Sequence, residues 1–167
     1  MTLRATFALI LVLLSVNAQA APTPGSQVDA AVTAMTNAAS RTFGKSVAWC
    51  DANQRPAGAP MDVRLKSYLA GMSSGTRQAM LEIAAKDPDF VHDTPVFDKK
   101  DLEMIDRQAD AMLQNTKTTP GICAKLATVL DAGTPAFFKD STRHGYQEYL
   151  AKRAAYCARQ PKPANCK

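Results

Sequence analysis

Residues 98–130 read DKKDLEMIDRQADAMLQNTKTTPGICAKLATVL, and the spacing of their apolar positions sets the fold class. Leu102, Ile105, Ala109 and Met112 recur at three- and four-residue steps, which places them on one face of a helix, while Glu103, Asp106, Arg107 and Asp110 fall elsewhere. A stripe of this kind is stable only when another element covers it. Asp98 is a good N-cap, and it leaves Asp101 in the first turn, where a carboxylate meets the positive end of the helix dipole. Downstream, Thr119-Pro120 reads as an N-cap followed by proline at the first helical position. It opens a second helix that carries Cys123 and stops at Gly133.

The same logic extends in both directions. Ser26 is the expected cap of a long helix in which Val28, Val32, Met35, Ala39, Phe43 and Val47 form a stripe running toward Trp49 and Cys50. Gly44 weakens that helix by up to about 1 kcal/mol relative to alanine, which makes it the expected place for a kink or an end. Asp51 to Pro60 reads as a loop, and a shorter helix is predicted from Asp62 to Met72. Ser73-Ser74-Gly75-Thr76 is read as a break with a new cap. The next helix, through Ala79, Met80, Ile83 and Ala84, is expected to end before Asp87-Pro88, because the residue ahead of a proline is pushed out of the helical region. Phe90 to Phe97 is read as a connector. Thr134-Pro135 starts a final helix reaching Arg159, bent near Gly145, with Tyr146, Tyr149, Leu150, Ala154 and Cys157 inward. No segment alternates with period two, and no internal repeat is present. The prediction is an all-α, irregular bundle of five to seven helices, stapled by disulfides, forming a single domain over residues 26–167 behind a loose lead at 21–25.

Residues 1–20 have the make-up of a secretory signal: Arg4, an apolar run from Phe7 to Val16, and Ala18-Gln19-Ala20 as a small-x-small cleavage site. A cut after Ala20 leaves about 147 residues, enough to bury a core without help from a metal. The expected location is the periplasm or the exterior of the cell. No later apolar run is long enough to span a bilayer, so an integral membrane protein is not expected once the signal is removed. The chain holds four cysteines, and an exported chain with an even number is expected to form disulfides. The preferred pairing joins Cys50 to Cys123, the end of one helix to the start of another, and Cys157 to Cys166 across Pro161 and Pro163. A four-thiolate metal site is disfavoured because no C-x-x-C pair exists.

Net charge is +5 and falls to +4 when Arg4 leaves with the signal, which contains no acid. Eight acids lie between Asp87 and Asp110 against Lys99, Lys100 and Arg107, whereas seven bases from Lys139 onward face only Asp140 and Glu148. The two segments are expected to lie near each other and offset one another's fields, unless one serves as a docking surface. Nucleic acid is not an expected partner, because of export and because aromatic residues are not interleaved with the bases as stacking platforms.

No catalytic motif of high specificity occurs. His144, in Arg143-His144-Gly145-Tyr146, reads as a solvated or capping histidine. His92 lies among Asp87, Asp89, Asp93 and Asp98, a set able in principle to hold a divalent cation, but the spacing is not that of an EF-hand and a plain acidic loop is the preferred reading. Gly71 to Arg77 has the glycines of a phosphate-binding loop but is too short and carries arginine in place of lysine; ordinary recapping is preferred over an anion site. Phe137, Phe138, Tyr146, Tyr149 and Tyr156 cluster late in the chain beside the bases. Lys152, Arg153, Tyr156 and Arg159 therefore form the expected interaction surface, since tyrosine and arginine are enriched at interfaces. The expected function is recognition of another protein in the cell envelope or outside the cell, as an inhibitor, an immunity-type protector or an accessory factor, with no catalytic residue and no cofactor. The alternatives are a small-molecule or metal carrier with a cavity between helices and, third, a hydrolase of unrecognised type.

Overall fold

The capping box is where sequence and structure meet most closely. Asp101 N–H donates to Asp98 Oδ1 at 2.9 Å and Asp98 N–H to Asp101 Oδ2 at 3.0 Å, fixing the start of a helix over Lys99–Thr118. The computed structural model describes residues 23–92 and 97–159; the expected signal, the cut after Ala20 and Cys166 lie outside the described residues. Six helices and no strand are present among them, in one domain: α1 (Pro24–Asn53), α2 (Met61–Ala84), α3 (Pro88–His92), α4 (Lys99–Thr118), α5 (Ile122–Asp131) and α6 (Pro135–Arg159).

Contacts along the helices give the topology. α1 and α2 form an antiparallel hairpin, with Arg77 on Asp29 at one end and the Met61 N–H on Asp51 at the other. α4 lies along the outside of α1 and runs in the same direction, with Arg41 and Lys45 facing Asp106 and Asp110, and Ser46 meeting Thr116. α6 lies along the outside of α2, also in the same direction, from Gly71 beside Gly133 to Asp87 beside Arg153. α5 closes one end of the hairpin, its start bonded to α1 through Cys50–Cys123 and its end paired to α2 through Arg64 and Asp131.

The core has two centres. Val47, Cys50, Met61, Leu65, Cys123, Leu126, Ala127 and Leu130 surround the disulfide, with Phe43, Tyr68, Leu69 and Met112 packed on them. At the other end of the hairpin Val28, Ala31, Val32, Met80 and Ala84 are joined by Leu81 and Phe90. Tyr68 links the layers sideways, meeting Phe43 of α1 edge-on at 5.5 Å and Phe138 of α6 at 5.1 Å; its burial raises the phenol pKa.

Several boundaries differ from expectation for identifiable reasons. α1 begins at Pro24, capped by Thr23, whose Oγ1 accepts from Ser26 N–H at 3.2 Å, so Ser26 is inside the helix rather than its cap. Gly44 does not end it, and the helix runs on to Asn53. α2 does not break at Ser73-Ser74-Gly75-Thr76. A Cβ on Gly71 would stand 2.2 Å from the Gly133 carbonyl oxygen, and one on Gly75 2.1 Å from that of Pro135. These small residues are the seat on which the α5–α6 turn rests, and an uninterrupted helix passes beneath it. The anion-site reading of Gly71 to Arg77 falls with the break, because no helix starts there; Arg77 instead pairs with Asp29 at 2.7 Å. Thr119-Pro120 does not cap α5 either, since Gly121 occupies the N-cap with a φ of 71°, a left-handed conformation that favours glycine. Thr134-Pro135 does act as expected, with Phe137 N–H donating to Thr134 Oγ1 at 3.2 Å. Part of the expected Phe90–Phe97 connector is the short helix α3.

Candidate functional site

α6 separates the late basic and aromatic residues into two faces. Tyr146, Tyr149, Leu150, Arg153 and Cys157 turn toward the body and are half-buried, whereas Ala154, expected inward, is exposed. His144, Glu148, Lys152, Tyr156 and Arg159 step by four, four, four and three, so they share the opposite face, and all are exposed. Tyr156 keeps 53% of its surface in solvent, and Phe138 is the single buried residue of this 25-residue helix. The four residues expected to form one surface therefore divide. Lys152, Tyr156 and Arg159 lie on the outer stripe, and Arg153 does not.

Arg153 reaches Asp87 at 3.6 Å and Asp89 at 3.9 Å. Asp87 also accepts from the Tyr146 hydroxyl at 3.1 Å; burial first, and then this bond to a carboxylate, raise the tyrosine pKa. Phe90 of α3 packs edge-on against Tyr146 at 5.0 Å and Tyr149 at 5.2 Å. The basic helix and the start of the acidic segment do face each other, through this cluster. The acids of α4 find other partners, Asp106 and Asp110 meeting Arg41 and Lys45 of α1. Farther up α6, Arg143 at 2.6 Å and Lys139 at 3.0 Å grip Glu82, holding its carboxyl below the usual range. Exposed pairs of this kind are screened by solvent, so they orient α6 more than they stabilise it.

Beside the upper end of the outer stripe, a groove of about 420 Å³ runs between α2 and α6, lined by Ile83, Lys86, Arg143, His144 and Tyr146 among others. His144 is exposed, with Nε2 3.4 Å from Glu148 one turn on. The acids considered around His92 are dispersed: Asp87 and Asp89 face Arg153, Asp98 caps α4, and Asp93 and the His92 side chain lie outside the described residues. Among the described residues no group of three or more His, Cys, Asp or Glu side chains is placed to hold a metal ion. No helix among them is long and apolar enough to cross a membrane.

Two structural side chains escaped the sequence reading. Asp51, assigned to a loop, supplies the missing cap of α2, accepting from the N–H groups of Met61 at 2.9 Å and Asp62 at 3.0 Å where Pro60 offers no side-chain acceptor. Burial alone would raise its pKa, but those amides and Arg55 outweigh it and hold the carboxyl below its ordinary value. Arg64 ties the 54–60 loop down through the carbonyls of Ala57 at 2.8 Å and Ala59 at 2.9 Å while pairing with Asp131. Cys50 and Cys123 are joined with Cα atoms 5.6 Å apart, and no described cysteine is free. The expected partner of Cys157, Cys166, lies outside the described residues.

Fold and site together define a disulfide-stapled, all-helical domain with one exposed basic-aromatic helix face. The chain matches no protein-family model, no curated protein and no solved structure.

Proposed function

We propose that this chain is exported to the periplasm or beyond the cell through a signal cut after Ala20, and that it binds another protein there stoichiometrically, as an inhibitor, an immunity-type protector or an envelope accessory factor would. The observation that carries the reading is α6: a 25-residue helix with one buried side chain and an outer stripe presenting Lys152, Tyr156 and Arg159 to solvent. Tyrosine and arginine are the side chains that anchor protein interfaces, and Lys152 and Arg159, without an ion-pair partner among the described residues, would favour an acidic partner and speed encounter with it. The buried disulfide supports export, because such bonds persist in oxidising compartments.

Site-specific photocrosslinking in the exporting cell tests it. A crosslinking residue at 152, 156 or 159 should trap one defined protein, while the same residue at 103 or 107 on α4 should not. Equal trapping from both helices, or none from α6, would contradict the reading.

A further inference from the structure

We propose that the cleft between α1, α4 and α5 is a binding site for a small apolar carboxylate, independent of the α6 surface. Its walls are Phe43, Met112, Ile122 and Leu126, with Val129 at the rim, and they line a half-open cleft of about 170 Å³. Protein interiors leave few voids larger than a water, and an engineered apolar cavity of roughly 150 Å³ takes up benzene. The space thus matches one aromatic ring or a short branched chain and is too small for a drug-sized molecule. Val129 is 50% exposed in spite of its apolar side chain, which leaves the mouth of the cleft hydrophobic and open to solvent.

The polar groups on the lining select the head group. The Thr116 hydroxyl is already satisfied, 3.0 Å from Ser46 Oγ and 2.7 Å from the Met112 carbonyl, so nothing on that wall asks for a ligand bond. Asn115 accepts the Thr119 hydroxyl on Oδ1 at 2.7 Å, which leaves its amide N–H groups as donors. Lys125 has no ion-pair partner among the described residues. What remains is one cation, one amide donor and no carboxylate, an arrangement that favours an anionic head and disfavours a cationic one. Ile122 adjoins the Cys50–Cys123 staple, so the α5 wall is held in place before anything binds, which lowers the entropy cost of association.

The test is a methyl-resolved NMR titration of the oxidised chain with phenylacetate, with phenethyl alcohol and with phenethylamine. Saturable shifts are expected at Met112, Ile122 and Leu126 and not at the distant Met80, with the acid binding most tightly and the amine least. Lys125→Gln should weaken the acid by roughly two- to five-fold, the range for one exposed ion pair, and leave the alcohol unchanged. Val129→Trp, whose indole covers the mouth, should abolish the shifts for acid and alcohol alike with the Met80 signals unmoved. Absence of saturable shifts, an amine that binds as tightly as the acid, or undiminished binding to V129W would overturn the proposal.

Discussion

α4 and α6 occupy equivalent places, each running along the outside of one helix of the central hairpin, yet they dock by different physics. α4 buries a periodic stripe of Ile105, Ala109 and Thr116 against α1 and needs little from its partner beyond a matching surface. α6 has no such stripe. It approaches α2 where Gly71 and Gly75 let backbone meet backbone, inserts Phe138 against Tyr68, and is then oriented by Glu82 and Asp87. A helix held by its own stripe has one polar face and no further use for it. A helix held by its partner's small residues and by charges leaves a mixed basic-aromatic face exposed, and that face is the one proposed to meet a partner.

The largest way to break this comparison is to remove the staple that ties α5 to α1 at one end of the hairpin along which both flanking helices lie. Replacing Cys50 and Cys123 by alanine opens a loop closed across 73 residues and should cost about 4 kcal/mol in the chain-entropy model, measured by denaturant unfolding of the oxidised parent and the variant. Next in size is the seat of α6. Gly75→Ala should destabilise by about 1–3 kcal/mol, because the new methyl group meets backbone of Pro135 that has no side-chain freedom to yield. Gly44→Ala, in a helix with nothing within 4 Å of the new Cβ, should instead stabilise by up to about 1 kcal/mol. Opposite signs for two alanines in two helices would sharpen the contrast; a stabilised G75A would remove it.

A smaller effect is expected at the cap of α2. Asp51→Ala should cost about 1 kcal/mol, within the usual range for a lost N-cap. Its carboxyl titrates below the ordinary value in the folded chain, so its contribution is complete above the unfolded pKa and disappears as pH falls through the depressed one. The stability difference between parent and D51A should therefore be constant near neutral pH and shrink on acidification.

The two flanking helices also differ in how much of each could be read in advance. α4 was legible because its signals are local: a cap at Asp98, an acid at Asp101 and an apolar stripe all lie within one element. The Cys50–Cys123 link was legible because helix ends bring those positions together. The α2–α6 contact was not, because Ser73-Ser74-Gly75-Thr76 carries the residues of a local breaker, and their purpose, close approach of Gly133 and Pro135, depends on a segment some sixty residues away. The four-residue spacing of Gly71 and Gly75, one turn apart on a helix face, was the available hint. Asp51 was missed for the same reason, since it caps a helix that starts ten residues later. Arg153 was grouped with Lys152 because sequence adjacency hides the turn that sends them to opposite faces of α6.

That last pair offers the most direct measurement. Lys152→Ala and Arg153→Ala are compared for thermal stability and for association with the protein trapped from α6, each at low and high salt. Arg153 pairs inward with Asp87 and Asp89, so R153A should lower stability by up to about 1 kcal/mol and leave the association rate near that of the parent. Lys152 faces solvent, so K152A should leave stability unchanged and slow association, by a factor that shrinks as salt screens the field. Equal behaviour of the two variants, or a K152A association rate indistinguishable from the parent at low salt, would contradict the assignment of the outer face of α6 as the recognition surface.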